Sequence, residues 1–156
     1  VSYNIYFEND VPSELLRSAL HEQFGMQPTK VYIGRLEDLA ASGGPRPAVL
    51  ITPPEQGEEF GWVLSGGDEL AASTGMSELE LARNLARATN TRAIVDDGTR
   101  YPNYWFLIAR DGSYGRVLTD ADADDDGHLR IVHAMEPISG EPDLPVVPLP
   151  DWAKDW

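Results

Sequence analysis

Between Arg92 and Pro137 the chain carries four short apolar runs: Arg92–Val95, Tyr104–Ala109, Tyr114–Leu118 and His128–Val132. Each is cut off from the next by a turn signal. Asp97-Gly98 and Asp111-Gly112 are strong hairpin dipeptides, because glycine takes positive φ without steric cost. The third interruption runs from Asp120 to Gly127 and concentrates five aspartates, Asp120, Asp122, Asp124, Asp125 and Asp126. The stretch predicts an antiparallel meander with one very acidic loop.

The rest of the chain supplies helices and further strands. Tyr3, Ile5 and Phe7 alternate with polar neighbours, the pattern of a half-buried strand. Asp10 is placed as an N-cap and Pro12 in the first turn of a helix over 12–24, whose Leu15, Leu16, Ala19, Leu20 and Phe24 recur at helical spacing until Gly25. Lys30–Gly34 reads as a strand, Leu36–Leu39 as a helical turn, and 41–47 as a loop. Ala48–Thr52 and Glu59–Ser65 read as a hairpin, with Pro53-Pro54 and a turn at Glu55–Glu58 between them. Ser77-x-x-Glu80 is a capping box opening a helix over 77–89, and Asn90 is its stop. Leu81, Ala82, Leu85, Ala86 and Thr89 form that helix's apolar face.

After Pro137 the composition changes. Pro142, Pro145, Pro148 and Pro150, with Trp152 and Trp156, exclude a central strand or a long helix. The expectation is an extended Pro-rich tail over 138–156, laid on the body through Val146, Val147 and Leu149. The order β-α-β-β-β-α-β-β-β-β argues for an α+β fold over 1–137: a largely antiparallel β-sheet, two main helices and a C-terminal β-meander. At 156 residues the length is that of one domain.

Charge narrows the partners. Twelve Lys+Arg against 26 Asp+Glu give a formal charge of −14. Such a surface repels nucleic acid and anionic membranes and favours a cationic protein or metal cations. The same charge also reads simply as solubility. The chain has no cysteine, hence no disulfide, thiolate nucleophile or cysteine zinc site. No apolar run approaches a membrane span, and VSYNIYFEND lacks the regions of a signal peptide, so the expected location is cytoplasmic.

Several residue groups have types and spacings that bear on chemistry. With Asp122 as position 1, aspartates fall at 1, 3 and 5 and Gly127 at 6, the front half of an EF-hand-like calcium loop. Position 12 is His133 where a bidentate Glu is wanted, and the flanks are strand-like. The competing reading is a solvated acidic loop. His128 and His133, five apart on a strand, fall on opposite faces and do not converge on a metal; His21 stands alone on a helix. Ser65-Gly66-Gly67-Asp68 lacks the frame of a nucleophile elbow and the lysine of a P-loop, so it reads as a loop. Asp96-Asp97 near Asp111 reads either as turn chemistry or as the acid pair of a hydrolase cleft. Tyr101, Tyr104, Trp105 and Phe106 read as core or as a protein contact, since the charge disfavours base stacking.

The run from 77 to 137 has a further quality. Its helix ELARNLARATN, then RAIVDDG, a strand introduced by Tyr101-Pro102, RDGSYGRVLTD and a DDGHL turn resemble the small acidic immunity proteins encoded beside bacterial polymorphic or contact-dependent toxins. The resemblance implies a non-enzymatic inhibitor, without cofactor or metal, that blocks a cognate basic toxin domain, often a nuclease with a cationic groove. Asp120, Asp122, Asp124, Asp125 and Asp126 are then the first choice for the charged contact, and Asp96 and Asp97 the second. Trp62, Tyr104 and Trp105 are candidate anchors, each of which also reads as core. A monomer or a homodimer fits equally. A calcium-dependent module using Asp120–Gly127 and a hydrolase with an acidic cleft are the alternatives.

Overall fold

The computed structural model describes residues 2–55, 59–99, 101, 103–125 and 128–150, with the backbone alone at Asp124 and Asp125. Eight strands form one sheet: β1 Tyr3–Phe7, β2 Val31–Ile33, β3 Val49–Thr52, β4 Trp62–Gly66, β5 Ala93–Asp96, β6 Tyr104–Ile108, β7 Tyr114–Thr119 and β8 Ile131–Ala134. Their spatial order is β2-β3-β4-β1-β5-β6-β7-β8. Only β2 and β3 run parallel; every other pairing of named strands is antiparallel. The helices are α1 Ser13–Phe24, α2 Leu36–Ser42, α3 Asp68–Thr74, α4 Glu78–Thr89 and α5 Ala121–Asp125. The fold is α+β with a mostly antiparallel sheet. β3 and β4 form the expected hairpin, and β5 to β8 follow one another across the sheet as a meander.

Local chemistry explains where the elements begin and end, and where the sequence reading needs correcting. Helix α1 is entered from Pro12 in an extended conformation, with no side-chain cap, so Asp10 is not its N-cap. Leu15 points outward, 48% exposed, while Leu16, Ala19 and Leu20 face the core. In α4 half of the capping box forms: Ser77 Oγ accepts the Glu80 amide at 3.2 Å, but the Glu80 carboxylate takes the Ser77 hydroxyl at 3.0 Å. Asn90 ends the helix in the left-handed conformation (φ 53°). Helix α3 replaces an expected loop. It starts directly after β4, and Gly66 lets the strand end meet it: a Cβ there would lie 2.5 Å from Leu70 Cδ2.

Two differences fall in the meander. Strand β8 starts at Ile131 rather than His128, and the acidic connection is not an open loop over its first half. There the backbone winds into α5, with Asp120 Oδ1 accepting the Asp122 amide at 2.9 Å as an N-cap side chain does. The Glu55–Glu58 turn, Asp126-Gly127, Trp152 and Trp156 lie wholly or partly outside the described residues.

The period-2 alternation of the strands sends side chains into two cores. Tyr3, Ile5 and Phe7 of β1, with Leu64, Val95 and Ile108, face α1 and α4, where Leu16, Leu20, Leu81 and Leu85 are fully buried. On the other face Ile94, Leu107, Val117 and Ala134 pack under Phe60 and Ile138. The C-terminal segment closes this second core through Ile138 and Leu144, and through the backbone pairing of Val146 beside Ala134. Val146 and Val147 themselves are 43% and 51% exposed, contrary to their expected role as the tail's contacts. Pro145 O accepts from Ala134 N, and Ala134 O from Val147 N, both at 2.8 Å; main chain does the work assigned to those valines.

One charged network joins distant parts of the chain. The Glu8 carboxylate accepts the Arg92 amide (2.9 Å), and the Glu8 amide donates to Arg92 O (3.2 Å). The Arg92 guanidinium contacts Glu8 (3.1 Å), Glu59 (2.9 Å) and Glu141 (3.3 Å), and lies 5.2 Å from the Phe60 ring centre. Arg110 adds a second cation to Glu8 at 2.9 Å. Burial works against the Arg92 charge, but Glu8 and Glu141 outweigh it, so this guanidinium holds its proton more firmly than an ordinary arginine. Removing the Arg92 side chain would take the shared cation from Glu8, Glu59 and Glu141 at once, and would leave the Glu8 carboxylate, whose side chain is only 11% exposed, with the backbone amide and the more exposed Arg110. Arg92→Ala is expected to cost about 3 kcal/mol, a drop in Tm of roughly 10 °C by thermal denaturation. Arg110→Ala, at a side chain 48% exposed, should cost less than about 1 kcal/mol. Equal losses at the two positions would show that burial does not set the strength of this network.

Candidate functional site

Strand directions bring separate acids to one end of the sheet. Tyr3 opposes Gly66, Asp96 opposes Trp105, and Tyr104 opposes Leu118. The start of β1, the ends of β4, β5 and β7, and the start of β6 therefore share that end. Asp68 and Glu69 follow β4, Glu78 opens α4, Asp96 ends β5, and Asp120 and Asp122 follow β7. Asp68, Glu69, Asp96 and Asp122 are exposed; Glu78 and Asp120 are half-buried. Lys30 offsets part of this charge through Glu69, at 3.5 Å.

Glu78 reports on the local field. Its Oε2 accepts the Asn4 amide at 2.8 Å, fixing the start of α4 to β1. Burial pushes its pKa up, the Asn4 amide partly reverses this, and the charge of Asp96 pushes it up again. The two carboxylates stand on neighbouring elements that only the assembled sheet brings together.

The residues singled out in the sequence meet different fates. Asp96 is exposed and its Oδ1 accepts the Gly98 amide at 2.7 Å, leaving the carboxylate on the surface. Asp97 turns the other way: its side chain is 0% exposed, and Arg116 Nε lies 2.8 Å from its Oδ2. Its other oxygen accepts from the Thr99 amide and hydroxyl. Asp97 is thus a structural acid and not a group offered to a partner. Asp120 and Asp122 belong to the rim; Asp124 and Asp125 continue α5 in backbone, and Asp126 is outside the described residues. Trp62 packs against the helix-side core and donates Nε1 to Asn9 O at 3.2 Å. Trp105 packs against the opposite core, edge-on to Tyr6 at 5.7 Å. Both tryptophans are partly buried, each packed against one of the two cores. Tyr104 is half-buried beside Tyr101, with ring centres 4.7 Å apart.

Asp68, Glu69 and Glu78 did not stand out in the sequence. They sit in first turns of helices, where acids are ordinary complements of the helix dipole. Only the insertion of β1 between β4 and β5 brings the end of β4 and the end of β5 to the same end of the sheet, and of the three it is Glu78 that feels the charge of Asp96.

The clefts hold little chemistry. One, about 500 Å³, lies beyond the ends of β2 and β3 and is lined by Arg35, Leu36, Glu37, Thr52, Pro53, Pro54 and Glu55. A second of about 380 Å³ runs between Leu50, Ser65 and the start of α3, and a third of about 220 Å³ lies along Glu80, Arg83, Asn84 and Arg87. Among the described residues no three His, Asp or Glu side chains gather to hold a metal ion. The helical backbone at 121–125 also differs from the open loop that an EF-hand-like site uses. Among the described residues, no helix is long and apolar enough to cross a membrane.

The raised pKa of Glu78 gives a pH test. A carboxyl that binds its proton more tightly when folded favours the fold below its unfolded pKa, and loses that advantage as pH rises through the folded value. Glu78→Gln keeps an acceptor for the Asn4 amide and removes the charge. It should raise Tm at pH 7 by on the order of 1 °C, a gain that shrinks to nothing as the buffer is taken below the ordinary carboxylate range. A loss of stability at pH 7 would mean that the ionised group is favoured there.

No family model matches the chain, and neither a curated protein nor a solved structure is similar to it.

Proposed function

We propose that this protein is a non-enzymatic, stoichiometric inhibitor that binds and blocks a basic protein, of the kind by which toxin producers neutralise their own toxin in the cytoplasm. The observation that carries the reading is the rim: acids from β5, α3, α4 and the β7–β8 connection lie along one end of a single sheet. A chain of net charge −14 with such an edge attracts a cationic surface over a distance of about one Debye length, roughly 8 Å at physiological salt. A nuclease is a fitting target, because its substrate groove must be cationic to hold a polyanion. Occupying that groove with carboxylates blocks the enzyme without any reaction by the inhibitor.

The hydrolase reading has one point in its favour. Glu78 and Asp96 pair a carboxyl of raised pKa with a second acid, the arrangement of an acid–base couple. Neither lines any of the three clefts described above, and Glu78 Oε2 is already engaged by Asn4. The inhibitor reading needs no pocket.

The test is binding to the product of the reading frame next to this gene, followed in real time at several salt concentrations. Replacing Asp96, Asp120 and Asp122 together by Asn should weaken binding about tenfold or more, mainly by slowing association, and should flatten its salt dependence. Asp97→Asn, buried against Arg116, should lower Tm and leave the association rate alone. A rim variant that associates at the parental rate at every salt concentration would remove the rim from the site.

A further inference from the structure

On the helix side of the sheet α4 covers β1, β5 and β6. Beyond it the face of β6, β7 and β8 carries a row set by strand register: Tyr104 opposes Leu118, and Leu118 opposes His133. All three are half-buried, and among the described residues neither Tyr104 nor Leu118 packs against either buried cluster. Tyr101 stacks on Tyr104 at the rim end. At the far end Tyr114 is 40% exposed, edge-on to Phe106 at 5.6 Å, with the Arg83 guanidinium 4.8 Å from its ring centre. The result is a strip of aromatic and aliphatic surface across the meander.

Charge around the strip selects its occupant. Arg116, on the same face, is matched by Asp97 at 2.8 Å. Leu118 lies two residues before Asp120, so the rim borders one end of the strip directly; the Asn103 carbonyl accepts the Thr119 amide at 2.8 Å and locks that corner. Arg83 stands at the other end. A protein seated here meets acids at the α5 end and a cation at the Tyr114 end, so its basic groups must lie at the α5 end. We infer that this strip, centred on Tyr104 and Leu118, is where the basic partner is anchored, receiving an apolar or aromatic side chain that is flanked by lysine or arginine; the inference rests on the functional reading above. Water-excluded aromatic anchors inside a charged border are the arrangement in which the border sets the rate of encounter and the centre sets the lifetime of the complex.

The experiment uses the full chain and the same product of the adjacent reading frame. Tyr104→Ala and Leu118→Ala should each speed dissociation about tenfold while changing association less than about twofold, the opposite signature to the rim variant. In the parental complex, amides at 104–106 and 116–118 should gain hydrogen-exchange protection, a reading that does not depend on how the variants fold. Unchanged dissociation of folded variants, or no added protection, overturns the strip as anchor while leaving the rim and the functional reading standing. A free chain that sedimented as a dimer with those amides already protected would assign the strip to a second copy and overturn the inference. A parental chain that does not bind the product at all removes the functional reading itself.

Discussion

The sheet has a seam, and the Glu8–Arg92 contact is what closes it. Strands β2, β3, β4 and β1 make one half; β5, β6, β7 and β8 make the other. The halves meet where β1 pairs with β5, over the two register positions Tyr6–Ile94 and Phe7–Ala93. Glu8 extends this short ladder by one backbone bond to Arg92, then adds its carboxylate to the Arg92 amide and guanidinium. Glu59 and Glu141 bring the approach to β4 and the C-terminal segment to the same cation. A half-buried arginine with three carboxylates is a costly thing to desolvate, and it is tolerated because each charge finds a partner in fixed geometry. What it secures is the relative position of the two halves, and with it the rim, where Glu78, bonded to the Asn4 amide of β1, stands near Asp96 of β5.

The cations are not distributed to balance the acids. Arg92 and Arg110 serve the seam, Arg116 serves Asp97, and Arg17 bonds Glu14 and the Val31 carbonyl. With these arginines committed inside the fold, the acidic excess is left to the surface. Asp96 and Asp97 show how fine the sorting is. They are adjacent in sequence, yet one ends a strand with its carboxylate in solvent and the next is drawn in by a guanidinium on the neighbouring hairpin. A charge count treats them alike; the strand pleat does not.

This contrast marks what could be read from the chain and what could not. Local signals were legible. The alternation of Tyr3, Ile5 and Phe7, the Ser77 cap, the Asn90 stop and the turn glycines Gly98 and Gly112, with φ of 79° and 86°, are all properties of a few neighbouring residues. All eight strands could be located from such signals, though their edges moved by one to three residues. The order of the strands in space could not, because loop connections do not say that β1 slots between β4 and β5. Helix α3 was hidden for a related reason. Its seven residues follow two glycines and hold one buried leucine, Leu70, too little periodicity to betray a helix without the strand it packs on. The Asp120–Gly127 segment misled through composition: crowded aspartates suggest an open loop, yet Asp120 caps the Asp122 amide and Ala123 is buried, which suffices for one helical turn.

The covering of the sheet is diagonal. Helices lie over β1, β5 and the half that starts at β2; the Phe60 and Ile138 segments lie on the other face, over β5 to β8. Among the described residues each face is therefore only partly covered, at opposite corners. One bare corner presents Leu50, Val63 and Thr52, small or aliphatic residues. The other presents Tyr104, Leu118 and Tyr114 of the β6–β7 hairpin, with Tyr101 just before it, and the tyrosine rings lose little side-chain entropy on binding. Stability alone would favour burying such rings, since covering a tyrosine or leucine fully is worth about 1.5–3 kcal/mol. On the reading proposed above, leaving them half-covered beside the acids keeps that free energy for the encounter with a basic partner, the carboxylates setting its sign and the apolar side chains its lifetime.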